Sequence, residues 1–157
     1  MQILKVIAYL LDYPDQSLVE HRADIEGIVE AADIDPGLRQ NLLTFIDHRA
    51  SQDLMQWQSE YDGLFERGRS LALWLFEHVH GESRDRGQAM VDLVDQYRQA
   101  CLEISQHELP DYLPLFLEFL STQGRANAQS WLMDFEHILA LLQCRLEKCG
   151  SDYAVLF

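Results

Sequence analysis

HELPDYLPLFLEFL, residues 107–120, is the stretch whose reading decides the fold. A helix starting at Pro110 would carry Pro114 in its interior, at a cost of about 3 kcal/mol. The alternative is a turn over Glu108, Leu109 and Pro110 and a helix that begins after Asp111. Asp111 is then the N-cap, its side-chain oxygen accepting an orphan amide of the first turn. Pro114 falls at N3, where no intrahelical bond is lost. The helix is expected from about Tyr112 to Ser121.

That helix is apolar almost all round. Leu113, Phe116, Leu117 and Leu120 form one face, and Tyr112, Leu115 and Phe119 another. Such a helix needs neighbours on every side, or it keeps one face for a ligand. Asp111 and Glu118 lie seven residues apart, about 10 Å along one side of the helix, with Pro114 and Leu115 between them. An acid–apolar–acid stripe suits a basic amphipathic peptide. The alternative is that Asp111 only caps and Glu118 is only solvated.

The rest of the chain reads as helix as well. Gln2–Leu11 carries Ile3, Val6, Ile7, Leu10 and Leu11 at helical spacing and stops before Pro14. A core helix is expected here in place of a signal peptide, because Asp12 and Pro14 close the run without a small-residue cleavage site. Asp15 caps a second helix carrying Leu18, Val19, Ile25, Ile28 and Val29, closed by the DIDPG turn at 33–37. A third helix ends near Ala50, and a fourth spans about Asp53 to Glu66. Ser70 caps a short helix, LALWLFEHVH, whose six leading apolar residues predict the most buried element, with Gly81 at its end. Ser83 opens a long helix to about Ile104, with Met90, Leu93, Val94, Tyr97, Cys101 and Ile104 as its seam. After Gly124 another runs to about Cys149. No segment alternates apolar and polar residues, so no strand is expected. The prediction is an all-α, single-domain helical bundle over 1–157.

Composition excludes several classes. The 157 residues hold 26 Asp plus Glu against 12 Lys plus Arg, a net charge of −14. That surface argues against nucleic acid, whose phosphates need Lys and Arg, and suits a cationic partner. The three cysteines, Cys101, Cys144 and Cys149, form no C-x-x-C, which fits a reducing compartment without structural zinc. No apolar run approaches the ~20 residues that cross a bilayer. A cytoplasmic location follows as the expectation.

Catalytic motifs are scarce. There is no phosphate loop, no dinucleotide fingerprint and no nucleophile elbow. A di-iron bundle wants two E-x-x-H motifs, and the nearest match is Asp134-x-x-His137. No metal site and no cofactor of its own are therefore expected. The densest charge cluster is Glu82 to Arg86. Arg84 and Arg86 at a helix start oppose the macrodipole unless paired, so Arg84, Asp85 and Arg86 are either paired locally or used in binding.

The segments FERGRSLALWLFEHVHGESRDRGQAMVDL (65–93) and ELPDYLPLFLEFL (108–120) resemble the NarJ-type assembly chaperones of respiratory nitrate reductase. LLDYPD (10–15), HILALLQCRLE (137–147) and SDYAVLF (151–157) extend the resemblance over most of the chain. It implies the all-helical fold of the TorD/DmsD redox-enzyme maturation proteins and a non-enzymatic, cytoplasmic chaperone. Such a chaperone binds the apo catalytic subunit, including its N-terminal remnant of a twin-arginine signal. It holds that subunit until the molybdenum cofactor, a molybdopterin guanine dinucleotide, is inserted and before membrane attachment. The family's E-x-P-D-x-L-P motif falls on Glu108, Pro110, Asp111, Leu113 and Pro114. The expected client-peptide contacts are Glu108, Pro110, Asp111, Tyr112, Leu115, Glu118 and Phe119, with Arg84, Asp85 and Arg86. The family's further helix and acidic tail lie past the position of Phe157. Oligomeric state stays open, a homo-oligomer included. The competing reading is a helical enzyme using Glu77, His78, His80 and Asp85.

Overall fold

The computed structural model describes residues 2–79, 84–102, 104 and 108–157, without the side chains of Val79, Arg84 and Asp85. Among them are nine α-helices and no strand. They are α1 (Gln2–Leu11), α2 (Gln16–Glu20), α3 (Arg22–Ala31), α4 (Pro36–Ala50), α5 (Leu54–Tyr61), α6 (Leu75–Val79), α7 (Arg84–Gln99), α8 (Leu113–Thr122) and α9 (Arg125–Lys148). A π-helical turn, Asp62–Glu66, prolongs α5, and a 3-10 helix, Asp152–Leu156, follows α9. None of these helices is long and apolar enough to cross a membrane.

Local chemistry explains most starts. The Asp15 carboxylate accepts from the Leu18 amide at 3.1 Å and starts α2. Asp35 accepts from Gly37 and Leu38 and starts α4, with Pro36 in the first turn where its missing N–H costs nothing. Asp53 accepts from Met55 and Gln56 and starts α5.

α1 and α8 are the central pair. Leu10, Leu11, Phe116 and Leu120 are buried to 1% exposure or less. Tyr112 at the start of α8 donates its hydroxyl to Asp12 Oδ1 at the end of α1, at 3.1 Å. Hollows on both flanks of the pair draw on the first half of α1 (Lys5, Leu4) and on α8 beyond its first turn (Glu118, Leu117). Only an antiparallel pair allows both. α9 covers one flank, through Phe135 and Trp131 against Phe116, at ring distances of 5.0 and 5.9 Å. α3 and α4 lie beyond the other, contributing Ile25, Val29, Leu42 and Phe45 to the same contiguous core.

The end of the chain is held to α4 and α5. Tyr153 is fully buried and accepts a 2.6 Å bond from Trp57 Nε1. Arg49, 3% exposed, pairs with Glu60 at 2.5 Å and with Asp152. Its guanidinium lies over the Tyr153 ring, 4.6 Å from the centroid.

The structure corrects several expectations. The second helix is two, α2 and α3, parted at His21, whose φ of −94° and ψ of 13° leave the helical region. Residues 71–74 are not helical, and α6 has only Leu75–Val79. Leu71, Ala72, Leu73, Leu75 and Phe76 are buried as expected, but Trp74 is only half-buried. The expected Gly81 and Ser83 helix ends lie outside the described residues. α7 stops at Gln99, short of Ile104. Cys101 takes the left-handed conformation (φ 58°) as the Leu102 amide bonds back to the Tyr97 carbonyl at 2.9 Å. Leu93 and Tyr97 of the predicted seam are buried, while Cys101 is exposed.

Candidate functional site

The site begins with the turn 108–112. It docks against residues 73–76 through one antiparallel bridge between Trp74 and Tyr112. The Leu75 amide donates to the Asp111 carbonyl at 2.9 Å, and the Leu113 amide to the Leu73 carbonyl at 2.7 Å. Asp111 Oδ2 accepts from the Phe76 amide at 3.0 Å. Phe76 is the second residue of α6, so Asp111 supplies the N-terminal cap of α6 from across the fold. α8 itself starts after Tyr112 with no side-chain cap and carries Pro114 in its first turn.

This overturns the exposed acidic stripe. Asp111 has no exposed surface, and its Oδ1 finds no hydrogen-bond partner among the described residues. Burial pushes its carboxyl above the usual range, against the opposing pull of the Phe76 amide and of Arg86. A buried carboxylate cannot form the rim of a groove. Pro110 and Phe119 are also interior: the Pro110 carbonyl accepts from Tyr97 Oη at 2.7 Å, and the Phe119 ring lies 4.7 Å from that of Tyr97. They hold the turn and α8 in place and do not present a surface.

The other residues of the stretch do meet at a surface. A groove of about 660 Å³ runs between α1, α8 and the start of α3. Its walls are apolar, from Val6 and Tyr9 of α1, Ile25 and Ile28 of α3, and Pro114 and Leu115 of α8. Glu108, Tyr112 and Glu118 line it as well, with Glu108 and Glu118 exposed and Leu115 half-buried. Asp12 and Lys5, both exposed, complete the rim from α1. At one end the Tyr112 hydroxyl bonds Asp12 and lies 3.2 Å from that of Tyr61, which in turn donates to the Leu11 carbonyl at 2.9 Å. Burial raises the Tyr112 phenol, so it is a neutral donor at ordinary pH.

The α1 and α3 side of the groove was not singled out in the sequence. Val6 reads as core because it falls on the apolar spacing of α1. The available signal was that Ile3, Leu4, Val6, Ile7, Tyr9 and Leu10 wrap more than one face, as in α8. Arg84 and Asp85 open α7, with side chains outside the described residues. Arg86 lies 3.8 Å from Glu77 and does not line the groove.

The groove offers no activated nucleophile. Ser17 Oγ is 3.4 Å from His21 Nδ1, but that nitrogen bonds the Ser17 carbonyl at 2.8 Å and so carries the proton. Of the alternative catalytic set only the Glu77 and His78 side chains fall among the described residues, that of Asp85 lying outside them. Glu77 faces Arg86, His78 Nε2 lies 2.7 Å from the Ala72 carbonyl, and His80 is outside the described residues. Among the described residues no group of three His, Cys, Asp or Glu could hold a metal.

The fold class is thus a helical bundle, without strands among the described residues, that carries an apolar groove with charged rims. Its relatives narrow the class. The model of the nitrate reductase delta subunit family matches residues 31–157, and the chain belongs to that family. The Escherichia coli NarJ protein, a nitrate reductase molybdenum cofactor assembly chaperone, is 45% identical over 155 residues, 98% of this chain and 66% of NarJ. The Escherichia coli NarW protein, a probable chaperone of the same kind, is 44% identical over 157 residues, all of this chain and 65% of NarW. The Bacillus subtilis protein of that name type, a probable NarJ, is 30% identical over 150 residues, 96% of this chain and 81% of its own length. The chain thus spans just under two thirds of the Escherichia coli relatives. All three are named as assembly chaperones and none as an enzyme.

Proposed function

We propose that this chain is an assembly chaperone for a nitrate reductase, without catalysis of its own. It binds the apo catalytic subunit through that subunit's N-terminal, signal-like peptide. It keeps the subunit open for insertion of a molybdopterin guanine dinucleotide cofactor and away from the membrane until then. It works in the cytoplasm, in keeping with three exposed, free cysteines.

The observation that carries the reading is the groove between α1, α3 and α8, with its apolar walls and its Asp12, Glu108 and Glu118 rim. An amphipathic helix lays apolar side chains against Val6, Ile25, Ile28 and Leu115 and holds basic residues at the rim. Apolar contact supplies most of the affinity, and the rim tunes rate and salt dependence. Of the residues expected from the sequence, Glu108, Tyr112, Leu115 and Glu118 touch the peptide, and Arg84, Asp85 and Arg86 of α7 form a second contact with the larger client. Pro110, Asp111 and Phe119 act by positioning.

The test is titration calorimetry with a synthetic peptide of the catalytic subunit's N-terminus. The parent binds it, and Leu115→Glu removes binding while melting close to the parent, since Leu115 is half-buried at the groove. A Leu115→Glu protein that folds and binds equally well moves the peptide site elsewhere.

A further inference from the structure

The groove has two different ends. Because α1 and α8 are antiparallel, Asp12 at the end of α1 sits beside Tyr112 at the start of α8, with Glu108 four residues earlier on the same rim. Lys5 lies seven residues before Asp12 and Glu118 six residues after Tyr112, so both are displaced about 10 Å in the same direction along the pair. Among the described residues that line the groove, the Asp12 end carries the two carboxylates and no lysine or arginine, while Arg98 shares a neighbouring hollow with Glu108. The other end carries one carboxylate and one amine and is nearly balanced. The groove is about as long as α1, whose ten residues span roughly 15 Å, or about three helical turns.

We propose that this asymmetry fixes the direction of the bound helix: its N-terminus, with its basic residues, lies at the Asp12–Glu108 end, and its C-terminus lies beside Lys5. The inference rests on the peptide-groove reading above and adds the polarity. Three charges of a peptide helix point the same way. The N-terminal half-turn carries the positive end of the macrodipole, and the C-terminal end the negative one. Arginines in the first turn pair with Asp12 and Glu108. The terminal carboxylate, or the last-turn carbonyls, face the Lys5 ammonium. The apolar walls are indifferent to direction, so the rim decides it, as charge patterns commonly set orientation where apolar contact sets affinity. The occupant is thus a short amphipathic helix with its cations in the first turn and few in the last.

The experiment uses the whole 157-residue chain and two synthetic fifteen-residue amphipathic peptides, one with two arginines in the first turn and one with the same residues reversed. A nitroxide is placed at either end of the first peptide, and amide broadening is read on isotope-labelled protein. The N-terminal label is expected to broaden Asp12, Tyr13 and Glu108, and the C-terminal label Gln2, Ile3 and Lys5. The opposite pattern, or both patterns at once, overturns the polarity while leaving the groove reading intact. Broadening confined to residues outside the groove overturns the groove reading itself. In calorimetry at low salt, Asp12→Asn with Glu108→Gln weakens the first peptide about tenfold, as two exposed ion pairs together supply. Asn keeps the acceptor for the Tyr112 hydroxyl. Glu118→Gln weakens it by about twofold, and the reversed peptide starts weaker and loses less from the double change. Equal losses for both peptides overturn the assignment.

Discussion

Asp111 provides the sharpest test of the structural reasoning. Its Oδ2 accepts the Phe76 amide at 3.0 Å in a site with no exposed surface. Asp111→Ala removes the cap of α6 and leaves that amide buried without a partner. Cap loss and an unmet buried donor describe the same bond, so the costs are not summed; the loss is about 2 kcal/mol. For a chain of this size that lowers Tm by about 4–8 °C. Asp111→Asn separates oxygen from charge, because its amide oxygen still caps Phe76. It should melt well above Asp111→Ala. The pH dependence has a definite sign. Burial raises the folded-state pKa of Asp111, so the folded protein binds the proton more tightly than the unfolded chain. The stability this gives is complete below the unfolded pKa, near 3.9, and is lost as pH rises through the folded value. The parent should therefore gain on Asp111→Asn as pH falls from 7 toward 4. Peptide affinity of Asp111→Asn should match the parent at low salt, since the carboxylate does not reach the groove. Melting curves across that pH range and one calorimetric titration suffice. If Asp111→Ala melts with the parent, the cap is unimportant. If Asp111→Asn binds peptide as poorly as a rim variant, Asp111 does touch the client.

Other expectations follow from burial. Phe76→Ala, 6% exposed and 6.3 Å from the Phe135 ring, should cost about 3–4 kcal/mol in chemical denaturation. Trp74→Ala should cost about half as much, because Trp74 is half-buried and contributes mainly its ring contact with Tyr112; equal costs would contradict this. Arg49→Ala removes a buried guanidinium from two carboxylates that are about a third exposed and can re-solvate, so the loss should be about 2–3 kcal/mol and not the full cost of a broken buried pair. Tyr153→Phe leaves Trp57 Nε1 without its 2.6 Å acceptor in the core and should cost about 1–2 kcal/mol, read as a shift in the denaturation midpoint at constant slope.

What the sequence revealed depended on whether the cause was local. α1 was legible to the residue because its apolar spacing runs out at Asp12 and Pro14, and the start of α2 was legible as the Asp15 cap; the Asp35 and Asp53 caps of α4 and α5 emerge from the structure. The break at His21 carries no Gly or Pro and was invisible. The run Leu71–Phe76 was misread as one helix because uninterrupted apolar residues have no period to read. Its first half is instead set by the bridge to Tyr112, some forty residues later. Asp111 was misread for the same reason: a cap delivered across the fold looks, in sequence, like a cap for the helix that follows it. The groove was half legible. Tyr112, Leu115 and Glu118 could be read from α8, a helix with more apolar surface than one core contact uses, and Glu108 only through the motif that resembles the chaperone family's. Their counterparts on α1 could not be told from core. α1 and α8 are both apolar on several faces, and each buries part of that surface against the other. α9 and the C-terminal turn border the pair around a hollow of about 820 Å³ lined by Leu4, Ile7, Leu113 and Leu117. Which apolar face remains open is a property of how neighbours are placed and not of either helix alone. Here two sides of the pair stay open: the one toward α3, lined by Ile28 and Leu115, and the one toward α9, lined by Ile7 and Leu117.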